Sequence, residues 1–393
     1  MYKDYIILHI DLDTFFLSVE LREKPKLKNY PCAVSGLPHS RSVILSASYN
    51  ARKYGIRAGM SPEAAIRLCP KIILIPPRID FYRSISANIM NELANFSPDY
   101  TVDSIDEMTI DISRVLSLHG NAIKIARKIK ELINKKFSLT CSIGIAPNRF
   151  LAKFASDLRK PDSITLLGYS SFIKLTENMS INRLNGIGPK TALILEGMGI
   201  NTIGKLRSLS IDLLRKRFGL RGEQLYLFAR GMESTRKIKE EKISISKEMT
   251  LLEDTLNSDT LHAVLMKLSE ENAFKLREQK LKAQRLTLKV KYFDFQTITR
   301  STKMRFSTNR EDEIYKEAKN LLKKIDIRPV RLLGISLSNF TPDDYDKVQL
   351  NLFEDEKKDK ILKILKTEDN LKKKFGKDII HRASQLILKN QDI

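Results

Sequence analysis

The chain has 393 residues, 42% of them hydrophobic and 30% charged, a composition that points to a globular protein of two to four domains and not one compact unit. No apolar run approaches the ~18 residues of a membrane span, and Met1–Tyr5 carries no signal-peptide pattern, so a cytoplasmic protein without membrane contact is expected. The formal net charge of +22 makes a polyanion the expected partner, because lysines and arginines that neutralise phosphates release condensed counterions. Basic residues recur from Lys124 to the C-terminus instead of clustering on one amphipathic helix, which favours nucleic acid over an anionic membrane. Cys32, Cys69 and Cys141 are far apart and lack metal-ligand spacing, as reduced buried thiols would be.

In chain order, residues 1–10 read as a strand that opens at Asp11 and Asp13, followed by helical spacing over Thr14–Leu21. Of Phe15 and Phe16, one should face the core and the other can floor a pocket beside the acids. Ser42–Tyr49 reads as a strand running into a helix on which Tyr49 and Arg52 share a face. A hydroxyl and a guanidinium so placed can grip phosphate oxygens, although a lone helical Arg is usually a solvated charge. Asp80–Phe96 is helical. The acidic stretch Asp103–Asp111 comes next, and successive strand residues face opposite ways, so Asp106 and Glu107 enter one cleft only at a sharp turn. A hairpin tip beside the first strand would bring Asp11, Asp106 and Glu107 together. Three such carboxylates repel unless cations hold them, and an all-oxygen site suits magnesium or manganese. The alternative is ordinary strand-end acids at solvated turns.

A basic helix over 120–136 and a strand over 138–145 precede a helix that opens at Pro147–Phe150 and ends at Arg159-Lys160-Pro161, where proline breaks it. Lys160 is a second candidate phosphate contact. Gly-rich loops of the dinucleotide or P-loop type are absent. Gly186-Ile187-Gly188-Pro189-Lys190 reads as the turn of a helix-hairpin-helix, with Phe218–Gly222 a degenerate second copy. Such glycines let backbone N–H groups approach a DNA phosphate; the plain alternative is a turn used only for packing. Ser234–Lys247 is almost continuously polar and reads as a linker. Beyond it an α+β unit is expected, with helices at about 258–280 and 311–325 and strands near 247–252, 283–295, 297–306 and 329–339. One face of its second strand carries Arg285, Thr287, Lys289 and Lys291, which Arg300, Lys303 and Arg305 are expected to extend into a basic surface for a sugar-phosphate backbone. Gln349, Leu350, Leu352 and Phe353 form a short apolar segment in a polar neighbourhood, and 354–393 suggests one or two short amphipathic helices.

His9–Phe16, Ala47–Gly55, Ser104–Glu107, Lys160-Pro161 and the Gly186–Gly188 turn, in this order and spacing, resemble the Y-family lesion-bypass DNA polymerases, in particular the bacterial DinB or polymerase IV branch. The resemblance runs from about Tyr5 to Phe340. It implies an α+β multidomain right-hand polymerase: palm over 1–10 and 78–166, fingers over 11–77, thumb over 167–233 with the helix-hairpin-helix, a linker over 234–246, a little finger over 247–341 and a tail over 342–393. It also implies Asp11, Asp106 and Glu107 as catalytic metal ligands with the Leu12 carbonyl, two magnesium ions (manganese as an option), Tyr49, Arg52 and Lys160 on the incoming dNTP, and Phe16 as the steric gate. Asp13 and Asp111 resemble acids near the site that are not ligands. Gly186, Gly188 and Lys190, with the basic strand residues, fall where the family touches primer-template DNA, and Gln349–Phe353 resembles a β sliding clamp peptide. Departures are Met108-Thr109 after the acidic pair and Ser163 in place of a common glycine. The activity implied is monomeric, low-fidelity translesion synthesis without proofreading. A non-catalytic DNA-binding scaffold of the same fold would have lost a carboxylate, and a palm-type nucleotide cyclase would need neither the hairpin turns nor the basic sheet.

Overall fold

The computed structural model describes residues 6–38, 41–233, 244–343, 356–376, 379–380 and 382–383. The chain divides into two units, residues 1–238 and 239–393. In the first, the strands are β1 (Ile7–Leu12), β2 (Cys32–Val34), β3 (Ser46–Ala47), β4 (Ile73–Ile75), β5 (Tyr100–Val102), β6 (Glu107–Asp111), β7 (Cys141–Ala146) and β8 (Ile164–Leu166). Five of them form a mixed sheet in the order β5-β6-β1-β7-β8. β1 is its middle strand, antiparallel to both neighbours, and every residue of it is buried.

Alternation along β1 separates two jobs. Leu8, Ile10 and Leu12 enter a core built with the helices Ile79–Leu93 and Ala122–Phe137, where truncation of one such leucine costs ~2–5 kcal/mol. Ile7, His9 and Asp11 face the other way, the side on which the helix Arg149–Leu158 packs across β1 and β7. That helix comes very close at Gly144, where an added Cβ would lie 1.9 Å from the Ala152 carbonyl oxygen. β1 continues two residues past the expected end at 10, because Asp11 and Leu12 keep pairing with Ser142 and Cys141; the fingers boundary at 11 therefore falls inside a strand of the main sheet.

A smaller sheet, β3-β2-β4, has its own core around Ile44, Ala51 and Ile56. The strand expected over Ser42–Tyr49 shrinks to Ser46–Ala47, since the Ile44 N–H goes to the Met60 carbonyl and that of Leu45 to Val34. The helix after it is a single turn, Tyr49–Arg52, whose N-cap Ser48 accepts from the Ala51 N–H. From Tyr169 to Phe228 short helices share a core with Phe150 and Phe154. Gly186 there has φ +95°. Gly188 caps the helix Pro189–Gly197, and a Cβ on it would meet nothing within 4 Å, as a backbone open to a phosphate requires. Gly222 of the second copy is different, because its Cβ would lie 2.1 Å from the Leu214 carbonyl oxygen: this glycine lets two helices pack.

In the second unit β9 (Ser244–Thr255), β10 (Leu281–Tyr292), β11 (Thr297–Thr308) and β12 (Val330–Pro342) form an antiparallel sheet in the order β11-β10-β12-β9. The helices Ser258–Glu278 and Glu311–Leu322 cover one side around Leu286, Leu288 and Val290. The linker expected to 246 ends earlier, since Ser244 already pairs with Ser338; residues 234–243 lie outside the described residues, as does the clamp-like peptide Gln349–Phe353. Among its described residues the tail holds one helix, Glu356–Phe375, where one or two short ones are expected. Asp369 on it pairs with Arg277 through two bonds of 2.7 and 2.9 Å, and Lys372 pairs with Glu270.

Candidate active site

The acids meet as the turn argument requires. Asp11 and Glu107 are paired residues of neighbouring strands and so share a face. Asp106 sits in the turn of the β5–β6 hairpin, where the Glu107 carbonyl accepts from both the Asp103 and Ser104 N–H groups and the Asp106 carbonyl accepts from Leu12 N–H at 2.9 Å. Ser104 Oγ donates to Asp106 Oδ1 at 2.6 Å. A cavity of about 210 Å³ is lined by Asp11, Leu12, Asp106 and Glu107 together with Phe16, Tyr49, Arg52 and Lys160.

The electrostatics are those of a cation site. Burial pushes the Asp11 carboxyl up to about 7, with Glu107 adding to the rise and Lys160 opposing it. Burial disfavours the Lys160 ammonium, but Asp11 at 2.5 Å and Asp157 at 3.0 Å outweigh it and raise its pKa. Lys153, from the helix that Gly144 admits, donates to Glu107 Oε2 at 2.5 Å. His9 completes the group. Its Nδ1 lies 3.0 Å from Thr109 Oγ1, which donates its own proton to Asp103 Oδ2. Nδ1 therefore carries the ring proton, and Nε2 is left as a buried acceptor without a hydrogen-bond partner, 3.6 Å from Glu107 Oε2. Burial and then Lys153 lower the His9 pKa to about 4, so the ring is neutral at pH 7. Donor atoms of His9, Asp11 and Glu107 lie within 4.8 Å of one another; Asp106 lines the same cavity outside that set. Three carboxylates and an orphaned buried nitrogen fit a divalent cation.

Sequence reasoning assigned no role to His9 or Lys153. The parity of His9 with Asp11 was a readable signal; Lys153 had none, because its reach depends on how closely its helix approaches. Asp13 and Asp111 stay out of the cavity. Asp13 is buried and accepts from Ser142 Oγ and the Asp162 N–H, both at 2.8 Å, and Asp111 accepts from the Ser113 N–H.

Phe16 stacks on Tyr82 with ring centroids 4.7 Å apart and planes 18° from parallel. The Tyr82 hydroxyl donates to buried Glu20 at 2.8 Å, and Arg78 clamps the same carboxylate at 2.8 and 3.0 Å. Phe15 is buried in the core. Tyr49 and Arg52 share a face as expected, the guanidinium lying 5.1 Å from the ring centroid, with Arg52 Nε donating to the Ala47 carbonyl. Burial raises the Tyr49 hydroxyl to about 12, so it stays a donor.

Gly186, Gly188 and Lys190 lie exposed together at the turn leading into the helix Pro189–Gly197, far along the chain from the carboxylates. On the second unit, Arg285, Lys289, Lys291 and Lys303 share the side of the sheet away from its helices, and the exposed Arg305 has the parity of Lys303. Arg300 does not extend this face: it pairs with Leu288 and so projects on the helix-covered side. Lys289 is paired with Glu248 at 2.6 Å, which reduces what it offers a phosphate.

The impB/mucB/samB family model matches residues 10–157, the family's C-terminal domain matches 242–352, and a model of the DNA polymerase-iota thumb domain matches 182–233. DNA polymerase IV of Clostridium perfringens strain 13 is 39% identical over 85% of this chain and 94% of its own length. That of Clostridium kluyveri is 35% identical over 98% and 99%, and that of Desulfotalea psychrophila 36% identical over 85% and 90%. Among solved structures, a Y-family DNA polymerase chimera of Dbh and Dpo4 superposes with a TM-score of 0.73 at 27% identity, over 85% of this chain and 98% of that one. An insertion ternary complex of Dbh DNA polymerase gives 0.60 at 28%, with the same coverage.

Proposed function

The chain belongs to the impB/mucB/samB family, the Y-family polymerases of DinB type, and is a DNA-directed DNA polymerase with a right-hand fold; on that premise we propose that it performs low-fidelity, template-directed translesion synthesis without a proofreading exonuclease. The observation that carries this reading is one cavity lined both by Asp11, Asp106 and Glu107 and by Tyr49, Arg52 and Lys160. Asp11, Asp106 and Glu107, with the Leu12 carbonyl, would hold two divalent cations, magnesium or manganese. Bound there, such cations supply the lowered pKa of a primer 3′-hydroxyl and the charge neutralisation that in-line phosphoryl transfer needs.

The chain's own groups do the rest. Tyr49 donates a neutral O–H, and Arg52 and Lys160 place fixed positive charge, on the side of the cavity where a triphosphate would lie. Phe16, backed by Tyr82, forms a rigid floor beneath the incoming sugar. We assign the palm to the β5-β6-β1-β7-β8 sheet and its helices, the fingers to the β3-β2-β4 region, the thumb to 167–233 and the little finger to the second unit's sheet. Primer-template DNA would be held by Gly186, Gly188 and Lys190 and by Lys291, Lys303 and Arg305, and the β sliding clamp by Gln349, Leu350, Leu352 and Phe353. Primer extension by the purified monomer on intact and damaged templates tests the proposal; a protein that extends neither in magnesium or manganese would overturn it.

A further inference from the structure

The sheet of the second unit ends in a hairpin tip whose two phenylalanines have no role in the reading above. Between β10 and β11 the chain turns through Phe293, Asp294, Phe295 and Gln296, and hydrogen bonds fix the turn. The Phe295 N–H donates to the Tyr292 carbonyl at 3.0 Å, the Phe293 N–H to the Pro329 carbonyl at 3.1 Å, and the Gln296 N–H to Asp294 Oδ1 at 3.1 Å. Arg328 closes it by donating to both Gln296 Oε1 and Asp294 Oδ2. Phe295 is held at φ +65°, a conformation that non-glycine residues seldom adopt. The result is two phenylalanine rings standing in water, 48% and 59% exposed at Phe293 and Phe295. Cations surround them: Lys291 Nζ lies 4.8 Å and Arg331 Cζ 4.6 Å from the Phe295 centroid, and Arg328 Cζ 5.8 Å from that of Phe293.

Exposed rings and basic side chains have different partners when apart and one shared partner when together. A protein's apolar side chains would use the rings but leave the ammonium and guanidinium groups desolvated and unpaired. A duplex would use the cations but not the rings, since its bases are already stacked on each other. An unpaired nucleotide uses both, offering a π-face to a ring and a phosphate on either side to a cation. We propose that this tip is a stacking subsite for an unpaired base of single-stranded DNA, with Lys291 and Arg331 on the flanking phosphates. The inference rests on the polymerase reading, in which the template ahead of the primer end is single-stranded.

The test uses full-length protein and two labelled probes of equal length and charge, an oligothymidylate and an abasic oligonucleotide, titrated by fluorescence anisotropy at one salt concentration. The wild type should bind the oligothymidylate about tenfold more tightly than the abasic strand. Phe293→Ala and Phe295→Ala should each reduce that ratio several-fold, and the double variant should bring it near one with abasic affinity unchanged. Because both rings are exposed, thermal melting should show the variants folded. A wild-type ratio near one, or an undiminished ratio in the double variant, overturns the proposal, the latter leaving the rings as a contact for another protein. Primer extension on an intact template, run alongside, separates the two readings: its failure would count against the polymerase assignment, whereas the probe ratio reports the tip alone.

Discussion

Replacing Phe16 by Ala should convert the enzyme into one that accepts ribonucleotides. The Phe16 ring cannot retreat from a sugar pressed against it, because Tyr82 backs it at 4.7 Å and is itself fixed by Glu20 and Arg78. A 2′-hydroxyl forced against so rigid a surface overpacks the site, which costs ~1–3 kcal/mol and occasionally more. With ~1.4 kcal/mol per factor of ten in rate, the upper end of that range, ~3 kcal/mol, gives roughly two orders of magnitude of sugar discrimination. Removing the ring should lower the ratio of kcat/KM for a deoxynucleotide over its ribo counterpart by that amount, with the deoxynucleotide value held within about tenfold. Phe15→Ala is the control: its side chain is in the core, so it should lose ~3–5 kcal/mol of stability and keep the ratio. The reasoning fails if the ratio is unchanged in Phe16→Ala and collapses in Phe15→Ala.

Asp106→Ala and Glu107→Ala should each reduce nucleotide addition by at least about a thousandfold while primer-template affinity stays within a few-fold, since distributed phosphate contacts hold the DNA; wild-type extension rates would show that the carboxylates do not hold the metals. In metal-free buffer, burial raises the Asp11 carboxyl from its ordinary 3.8 to about 7 in the folded protein, so the native state binds its proton more readily between those values and this contribution to stability falls as pH rises from about 4 to about 7. His9, held at about 4, has the opposite slope between about 4 and 6.5, so the comparison is wild type against Asp11→Asn in chemical denaturation: the asparagine variant should gain relative stability with rising pH, and magnesium should reduce the gap by replacing the proton. An identical pH dependence in both proteins would mean Asp11 is not held in its neutral form. Leu352→Ala with Phe353→Ala should abolish clamp-stimulated synthesis and spare synthesis without clamp, because a few buried anchors carry most of such binding energy; clamp pull-down that is unaffected refutes it.

The sequence by itself determined the acidic ends of two strands, the shared face of Tyr49 and Arg52, the proline that stops the helix just before Lys160 and the basic parity of β10, all properties of local pattern that hold whatever the partner. Only the tertiary structure decided which partner each strand takes. Register places Asp11 opposite Glu107, and it puts Arg300 opposite Leu288, on the wrong side for the basic face, where a count of charges had put it on the right one. His9 becomes an acceptor without a partner only because Thr109, a hundred residues away, spends its proton on Asp103. Lys153 reaches Glu107 because Gly144 lets its helix touch the sheet. Such contacts depend on the spacing between elements, which side-chain volumes distant in the chain set together, and no local pattern records a distance between two segments that meet only on folding.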